Sequence, residues 1–335
     1  MDGWSFVFIA VIIAIALIFD FTNGLHDAAN SVATIVSTRV LSPKQAVIWA
    51  AFFNFVAFLI FGHKVAETIG SGLIKIEQVD PLVIFCALIG AITWNLLTWY
   101  WGLPSSSSHS LMGGYLGAAV VKAHGFGVVI LSGWIKILIF IVLAPLLGML
   151  FGLILMIVTT WVVHRRPLHQ INLWSRRLQL ISAALYSLGH GGNDAQKTMG
   201  IIAGLLVTSG QMKVENFHIP VWVMLAAYTA IAMGTLSGGW RIVKTMGQKI
   251  VKLKPIDGFC AETASAISIF TATHLGVPVS TTHVITGAVA GVGAAKNAAA
   301  VKWQVTIMIV WAWVLTIPAS AICAGIVYEI IRLIY

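Results

Sequence analysis

Long apolar stretches fill most of this 335-residue chain, and they constrain its fold more than any other feature. A membrane-spanning helix needs about 20 apolar residues, and stretches of that order recur along the whole sequence. They lie at 4–38, 44–62, 81–102, 105–121, 128–163, 178–207, 219–238, 258–275, 278–295 and 303–331. Only 9% of the residues are charged, which is too few to cover the surface of a soluble protein of this size. The sequence therefore predicts an all-α polytopic membrane protein and excludes a soluble enzyme.

Short polar motifs interrupt or join several of these stretches. Asn23–Asp27 interrupts the first stretch and Gly189–Asp194 the sixth, so we predict two broken helices. Pro104–His109 and Pro278–His283 each join two neighbouring stretches by a turn without Asp, Glu, Lys or Arg. Such turns are better placed inside the membrane, as tips of re-entrant helical hairpins, than in water. The predicted hairpins span 81–121 and 258–295.

The distribution of basic residues tests this topology. If each joined pair is a hairpin that enters and leaves on one side, 13 of the 20 Lys and Arg residues share one face. They are Arg39, Lys44, Arg165, Arg166, Arg176, Arg177, Arg241, Lys244, Lys249, Lys252, Lys254, Lys296 and Lys302. By the positive-inside rule this face is cytoplasmic, so both termini are predicted to lie outside.

The two halves of the sequence resemble each other. The motif around Asp27 matches that around Asp194, and the tip at Pro104 matches that at Pro278. Because the first half starts outside and the second inside, we predict inverted repeats, 1–163 and 178–335, and a basic cytoplasmic linker, 164–177. The first repeat comprises a broken helix 4–38, a span 44–62, a hairpin 81–121 and a long span 128–163. The second comprises a broken helix 178–207, a span 219–238, a hairpin 258–295 and a span 303–331. Broken helices at matching positions of two repeats indicate a transporter with its binding site near the membrane midplane.

The repeated motifs carry two complementary kinds of chemistry. Asp27 and Asp194 place ionisable groups inside the membrane, where they require a cation, a proton or a polar ligand. The alternative is that each Asp only caps a half-helix. At the tips a new helix begins, so free N–H groups and hydroxyls converge into a cage suited to a small tetrahedral oxyanion. The hydroxyls belong to Ser106, Ser107, Ser108, Ser280, Thr281 and Thr282.

A difference between the two repeats bears on the coupling ion. Asn30 and Lys197 occupy equivalent positions, but only Asn offers an oxygen to Na⁺, whereas Lys adds a positive charge. His26 and His190 flank the two motifs and are candidate proton carriers. Glu262 is either a further proton or cation group or an interfacial residue. The histidine spacing does not support a metal site, and no catalytic triad accompanies the serines.

The motifs Asn23–Ser31 and Gly191–Gly200 closely resemble the duplicated signature of the inorganic phosphate transporter (PiT) family. The tips resemble the paired hairpin loops of that family, and the resemblance covers nearly the whole chain. It implies import of inorganic phosphate across the bacterial cytoplasmic (inner) membrane by a secondary active transporter that tends to form homodimers. It further implies coupling to H⁺ or Na⁺ and, in some bacterial members, a divalent metal-phosphate complex as substrate. The site residues it implies are Asp27, Asn30, Asn193, Asp194 and the tip hydroxyls.

The second repeat departs from the Na⁺-coupled members, which carry Asn-Asp followed by Ala-Asn in both repeats. Here it reads Asn193-Asp194-Ala195-Gln196-Lys197, which is nearer to the bacterial proton-coupled relatives. We therefore hypothesise that Lys197 supplies a fixed charge where a second Na⁺ would sit, and that the coupling ion is H⁺.

These considerations define the predicted site. The phosphate-binding residues are Asp27, Asn30, Ser106, Ser107, Ser108, Asn193, Asp194, Lys197, Ser280, Thr281 and Thr282. The residues for ion or proton coupling are Asp27, Asp194, Lys197, Glu262, His26 and His190. No cofactor and no enzymatic activity are expected, and Mg²⁺ or another divalent metal enters only with phosphate. The alternatives are a transporter of sulfate or a related oxyanion on the same fold, and an uncoupled anion channel.

Overall fold

The computed structural model describes residues 5–213, 215 and 217–334, and this part of the chain is built from helices without a β-strand. The residues 1–4, 214, 216 and 335, which fall within the predicted repeats, lie outside the described residues. The helices are α1 (Phe6–Ser37), α2 (Pro43–Val56), α3 (Lys64–Ser71), α4 (Pro81–Trp101), α5 (Ser107–Lys122), α6 (Leu131–Val163), α7 (Leu168–Thr208), α8 (Val221–Ser237), α9 (Trp240–Lys244), α10 (Pro255–His274), α11 (Thr281–Asn297) and α12 (Trp303–Ile334).

Four of the described helices, α1, α4, α6 and α12, are long and apolar enough to cross a membrane. Two further spans result if each bent pair counts as one span. The chain bends by 85° between the α2 segment and α3, and by 60° between α8 and the segment that contains α9. The predicted stretch 128–163 contains one uninterrupted helix of 33 residues, α6, with Pro145 inside it.

The helices α1 and α7 run without interruption through the two Asp motifs, so the prediction of two broken helices is wrong. The motif glycines serve close packing, and none of them has a positive φ. A Cβ added at Gly24 would overlap the carbonyl oxygen of Ile231 on α8, and one added at Gly191 would lie 2.5 Å from that of Asn54 on α2. Some polar side chains of the motifs hydrogen-bond to neighbouring helices, as Asn30 does to Thr282 and Asn193 to Thr273.

The predicted linker 164–177 is also largely helical, because α7 already begins at Leu168. Pro167 precedes it with an extended backbone, ψ 141°, and no Gly or Pro follows until Gly189, so the helix can propagate. The side chain of Arg176 in this extension donates to the carbonyl oxygen of Arg39, 2.7 Å away. The extension thereby connects α7 to the loop that follows α1.

The two tip helices pack against long helices of the opposite half of the chain. α5 lies on α12, and α11 lies on α6. A Cβ added at Gly117 of α5 would overlap the carbonyl oxygen of Ala321, and one added at Gly291 of α11 would overlap that of Met149. Small residues allow helix backbones to approach closely within a membrane. This packing brings both tips against α1, which also contacts α7.

The variant Gly291→Val is expected to lower the free energy of unfolding by about 1–3 kcal/mol, because the added side chain meets the α6 backbone. Thermal unfolding of the detergent-solubilised protein measures the effect. Gly127→Val is the matched control, since a Cβ there meets no atom within 4 Å, and it should unfold as the wild type does. Equal unfolding temperatures for the two variants would contradict the role of this glycine.

Candidate functional site

The Asp motifs of α1 and α7 and the tips of α5 and α11 meet at one buried place, which we call the central cage. All residues of the predicted phosphate-binding set are at most 3% exposed. The central cage is therefore closed in this arrangement, and a ligand enters or leaves only if helices move.

On the α1 side, Asp27 contacts both tips. Its carboxylate accepts hydrogen bonds from the Ser107 hydroxyl of the α5 tip at 2.5 Å and from the Thr282 hydroxyl of the α11 tip at 3.4 Å. The amide of Asn30 donates to the same Thr282 hydroxyl at 2.8 Å. One face of α1 thus connects the two tips.

The α7 side makes the corresponding contacts through Asp194 and Lys197. The Lys197 ammonium donates to Asp194 and to the Ser108 hydroxyl, both at 2.5 Å, and to the carbonyl oxygen of Val279 at 2.8 Å. The Thr281 hydroxyl donates to the other oxygen of Asp194 at 3.3 Å. Lys197 therefore occupies the space between Asp194 and both tips.

The tips present two helix N-termini to the central cage. Ser106 and Ser280 are the N-cap residues, and their hydroxyls accept from the backbone N–H groups of His109 and His283 at 3.2 and 3.3 Å. The N–H groups that precede the first helical bond make no bond within the helix and can donate to an anion. The neighbouring hydroxyls of Ser107, Thr281 and Thr282 donate to the two Asp carboxylates in this closed arrangement. Within the predicted phosphate-binding set, Ser106 and Ser280 thus act as helix caps in this arrangement.

The charges of the central cage restrict what it can bind. With both carboxylates ionised, Asp27, Asp194 and Lys197 sum to a formal charge of minus one. This negative charge repels an anion that enters alone, and burial of an uncompensated charge is costly. Protons or a metal cation bound together with an oxyanion would reduce this repulsion.

A cation can be held by three residues from both halves of the chain. Ligand atoms of Asp27, His190 and Asp194 all lie within 4.8 Å of one another. Two carboxylates and one imidazole suit a divalent cation. Spacing within one motif could not reveal this group, because Asp27 belongs to the other half of the sequence.

The remaining motif residues orient the site. His26 lies between Asp27, 2.8 Å from its carboxylate, and the hydroxyl of Thr98, at 3.1 Å. Asn193, a predicted phosphate ligand, donates to the Thr273 hydroxyl at 2.8 Å and to the carbonyl oxygen of Val277 at 3.3 Å. Asn193 thus connects α7 to the end of α10 and to the segment that leads into the α11 tip. His190 also contacts Asn54 of α2 at 3.2 Å, a partner that the sequence did not indicate.

Glu262 lies outside the central cage. It accepts hydrogen bonds from Thr34, Gln179 and Ser182 at 2.5, 3.0 and 2.6 Å, and it is 0% exposed. Thr34 follows Asp27 by seven residues, about 10 Å along α1. Glu262 thus belongs to a second buried polar cluster, and it is not a solvent-exposed residue. Sequence reasoning also missed the buried Asp20, whose only signal was its position in an apolar stretch.

Comparison with known proteins identifies the family. A family model described as the phosphate transporter family matches residues 23–175 and again 167–324. The chain belongs to this family. A protein of Rhizobium meliloti named "Probable low-affinity inorganic phosphate transporter" is 56% identical over 324 residues, which cover 97% of this chain and 96% of that protein. A Bacillus subtilis protein with the same name is 43% identical and covers 97% of each chain.

A solved structure titled "The sodium-dependent phosphate transporter" superposes with a TM-score of 0.87 at 26% identity, covering 98% of this chain and 100% of that one. Our chain therefore has the all-helical membrane fold of this phosphate transporter family. The matched proteins are named as transporters, which points to transport and not to catalysis.

Proposed function

We propose that this phosphate transporter imports inorganic phosphate by holding it in the central cage between Asp27, Asp194 and the two tips. The observation that carries the proposal is the contact of Asp27 with a hydroxyl from each tip, because it joins acceptors and donors in one closed site. Phosphate at neutral pH still carries a proton that a carboxylate can accept in a hydrogen bond. Sulfate carries none, so the same carboxylates favour phosphate.

Transport follows from rocking of two inverted repeats about this site. The exchanged packing of α5 on α12 and of α11 on α6 supports a structural repeat. α5 and α11 have 16 and 17 residues and are about 25 Å long, short of the roughly 30 Å hydrocarbon core. This length supports helical hairpins that enter and leave on one side.

The coupling ion in this proposal is H⁺. The Lys197 ammonium contacts Asp194, Ser108 and Val279. The equivalent residue of the first repeat, Asn30, offers an amide. A fixed positive charge in the second repeat therefore takes the place of a second bound Na⁺. Protons then balance the charge of phosphate through the cycle. Na⁺ is the alternative coupling ion, since the solved structure of similar fold is that of a sodium-dependent phosphate transporter.

The substrate has two candidate forms, free phosphate and a divalent metal-phosphate complex. The group of Asp27, His190 and Asp194 favours the complex, because it offers the donors that a divalent metal prefers beside the phosphate donors of the tips. A neutral complex also avoids the repulsion that a bare anion meets in the central cage. The metal is then part of the cargo.

The membrane arrangement extends the same proposal. The basic loops favour an orientation with both termini outside and with the loops after α1, α6, α9 and α11 in the cytoplasm of a bacterial cell. The family resemblance also leads us to propose that the protein forms a homodimer. We place the protein in the inner membrane, where a proton gradient is available.

Uptake of labelled phosphate into proteoliposomes, with pH, Na⁺ and Mg²⁺ gradients imposed one at a time, tests the function. An acidic exterior should drive accumulation without Na⁺, excess sulfate should leave uptake unchanged, and Mg²⁺ should raise it if the complex is carried. Uptake that needs Na⁺ and ignores the pH gradient would contradict proton coupling. Competition by sulfate would favour the wider oxyanion transporter, and flux that cannot be driven uphill would favour a channel.

A further inference from the structure

Asp20 is a buried acidic residue that the central cage does not use. It lies on α1, is 0% exposed, and precedes Asp27 by seven residues. Seven residues are nearly two helical turns, so both side chains lie on a similar face, about 10 Å apart along the axis. Among the described residues, neither carboxylate oxygen of Asp20 has a hydrogen-bond partner.

The polar and charged groups that act on Asp20 come from α1, α7 and α8. The hydroxyl of Thr198 on α7 and the amide of Asn23 on α1 are close enough to act on Asp20 but make no hydrogen bond to it in this arrangement, and the Thr198 hydroxyl also lacks another partner among the described residues. The ionisable groups that face Asp20 are Asp194 and Lys197 from α7 and the Tyr228 hydroxyl from α8. The Lys197 ammonium contacts Asp194 and both tips directly, and its attraction on Asp20 is offset by the repulsion from Asp194.

An ionised carboxylate without a partner is too costly at such a place, so Asp20 must bind a proton or a cation in this closed arrangement. A metal cation needs several oxygen ligands. The described neighbours offer the Thr198 hydroxyl and the Asn23 amide, whose oxygen lies 2.6 Å from the Ser107 hydroxyl and shares the proton of that hydroxyl with Asp27. A proton needs no further ligand, and the chemistry of the place therefore favours it.

We propose that Asp20 is a proton-binding site of the transport cycle, protonated while the central cage is closed and deprotonated when it opens to the cytoplasm. The inference rests on the proposed proton-coupled phosphate import. The proton comes from external water, forms one O–H bond with a carboxylate oxygen of Asp20, and leaves to internal water. Asp20 lies toward the N-terminal end of α1, which the proposed orientation places outside, and Glu262 lies on the opposite side of the central cage.

The second repeat has no acidic residue at the position equivalent to Asp20. The shift that carries Asp27 onto Asp194 carries Asp20 onto Ser187, so the second half has no carboxylate there. One such site for each chain provides one exchangeable proton in addition to any proton on phosphate itself. A pH difference of about one unit then supports a phosphate gradient of about tenfold for each coupled proton.

The variant Asp20→Asn tests the proposal, because it keeps the shape of the side chain and removes its ionisation. In proteoliposomes with equal solutions on both sides, exchange of labelled phosphate should stay within about twofold of the wild type. Accumulation driven by a pH gradient should be lost. The control Glu329→Gln, at an exposed ion pair with Arg332, should behave as the wild type in both assays. Wild-type accumulation by Asp20→Asn would overturn the proposal.

The two proposals fail in different ways in this experiment. Wild-type protein that takes up no phosphate under any gradient overturns the proposed function, and this inference with it. Infrared spectroscopy covers the case in which Asp20→Asn does not fold. The wild type at neutral pH should show the carbonyl band of a protonated carboxylic acid, and Asp20→Glu should shift that band. A missing band, or a band that Asp20→Glu leaves unshifted, overturns the assignment of the proton to Asp20.

Discussion

Replacing Asp194 with Asn is expected to abolish phosphate uptake and to lower the free energy of unfolding by about 3–5 kcal/mol. Lys197 is 1% exposed and Asp194 0% exposed, and their charged groups are 2.5 Å apart. Without the carboxylate, the buried ammonium loses the anionic partner that it contacts directly. Thermal unfolding and proteoliposome uptake of the same purified variant measure the two effects separately.

The double variant Asp194→Asn/Lys197→Met separates folding from transport. Lys197→Met alone should destabilise the protein as strongly as Asp194→Asn, whereas the double variant should recover a large part of the stability, since both charges are gone. Uptake should be lost in all three. Lys122→Met, at the ion pair with Asp80 whose side chains are 28% and 26% exposed, is the control and should cost less than about 1 kcal/mol. Additive losses in the double variant would contradict a buried charge pair.

Replacing Lys197 with Asn is expected to make phosphate uptake depend on Na⁺. The ammonium that bonds Asp194, Ser108 and Val279 disappears, and an amide oxygen takes its place beside a carboxylate. The α7 motif then matches the α1 motif, in which Asn30 follows Asp27 at the same spacing. Na⁺ should restore the missing positive charge, so both uptake and thermal stability should rise with Na⁺ concentration.

Lys197→Met is the matched control for this effect, because it removes the same charge without adding an oxygen ligand. Na⁺ should restore neither uptake nor stability in that variant. The measurement is the initial uptake rate in proteoliposomes at increasing external Na⁺ with pH held constant. A Lys197→Asn variant that is insensitive to Na⁺ would show that Lys197 does not replace a cation.

The repetition in the sequence located most residues of the central cage, for a physical reason. Asp27, Asp194 and the tip hydroxyls are polar groups inside apolar stretches, and such groups in a membrane need one another as partners. The structure places them together. The prediction of broken helices is wrong, because Gly24 suggests a local helix breaker. In the structure Gly24 lies against the backbone of Ile231 on α8, which leaves no space for a side chain.

Other parts of the site depended on contacts that the sequence does not reveal. His190 contributes to the candidate cation group only because α7 brings it next to Asp27 of the other half. Asn193 belongs to the repeated motif, but the geometry at the base of the α11 tip directs its amide to Thr273. Asp20 has no counterpart in the second repeat, so a search for repeated polar positions passes over it.

The central claim is that phosphate binds between the two Asp motifs and the two tips. Arsenate is a tetrahedral oxyanion like phosphate, and arsenic scatters X-rays anomalously, so crystals of the wild-type protein grown with arsenate test the claim directly. We predict an arsenic peak within hydrogen-bond distance of the tip residues Ser107, Ser108, Thr281 and Thr282. An arsenic peak elsewhere, with none in the central cage at an arsenate concentration that blocks phosphate uptake, would contradict the claim.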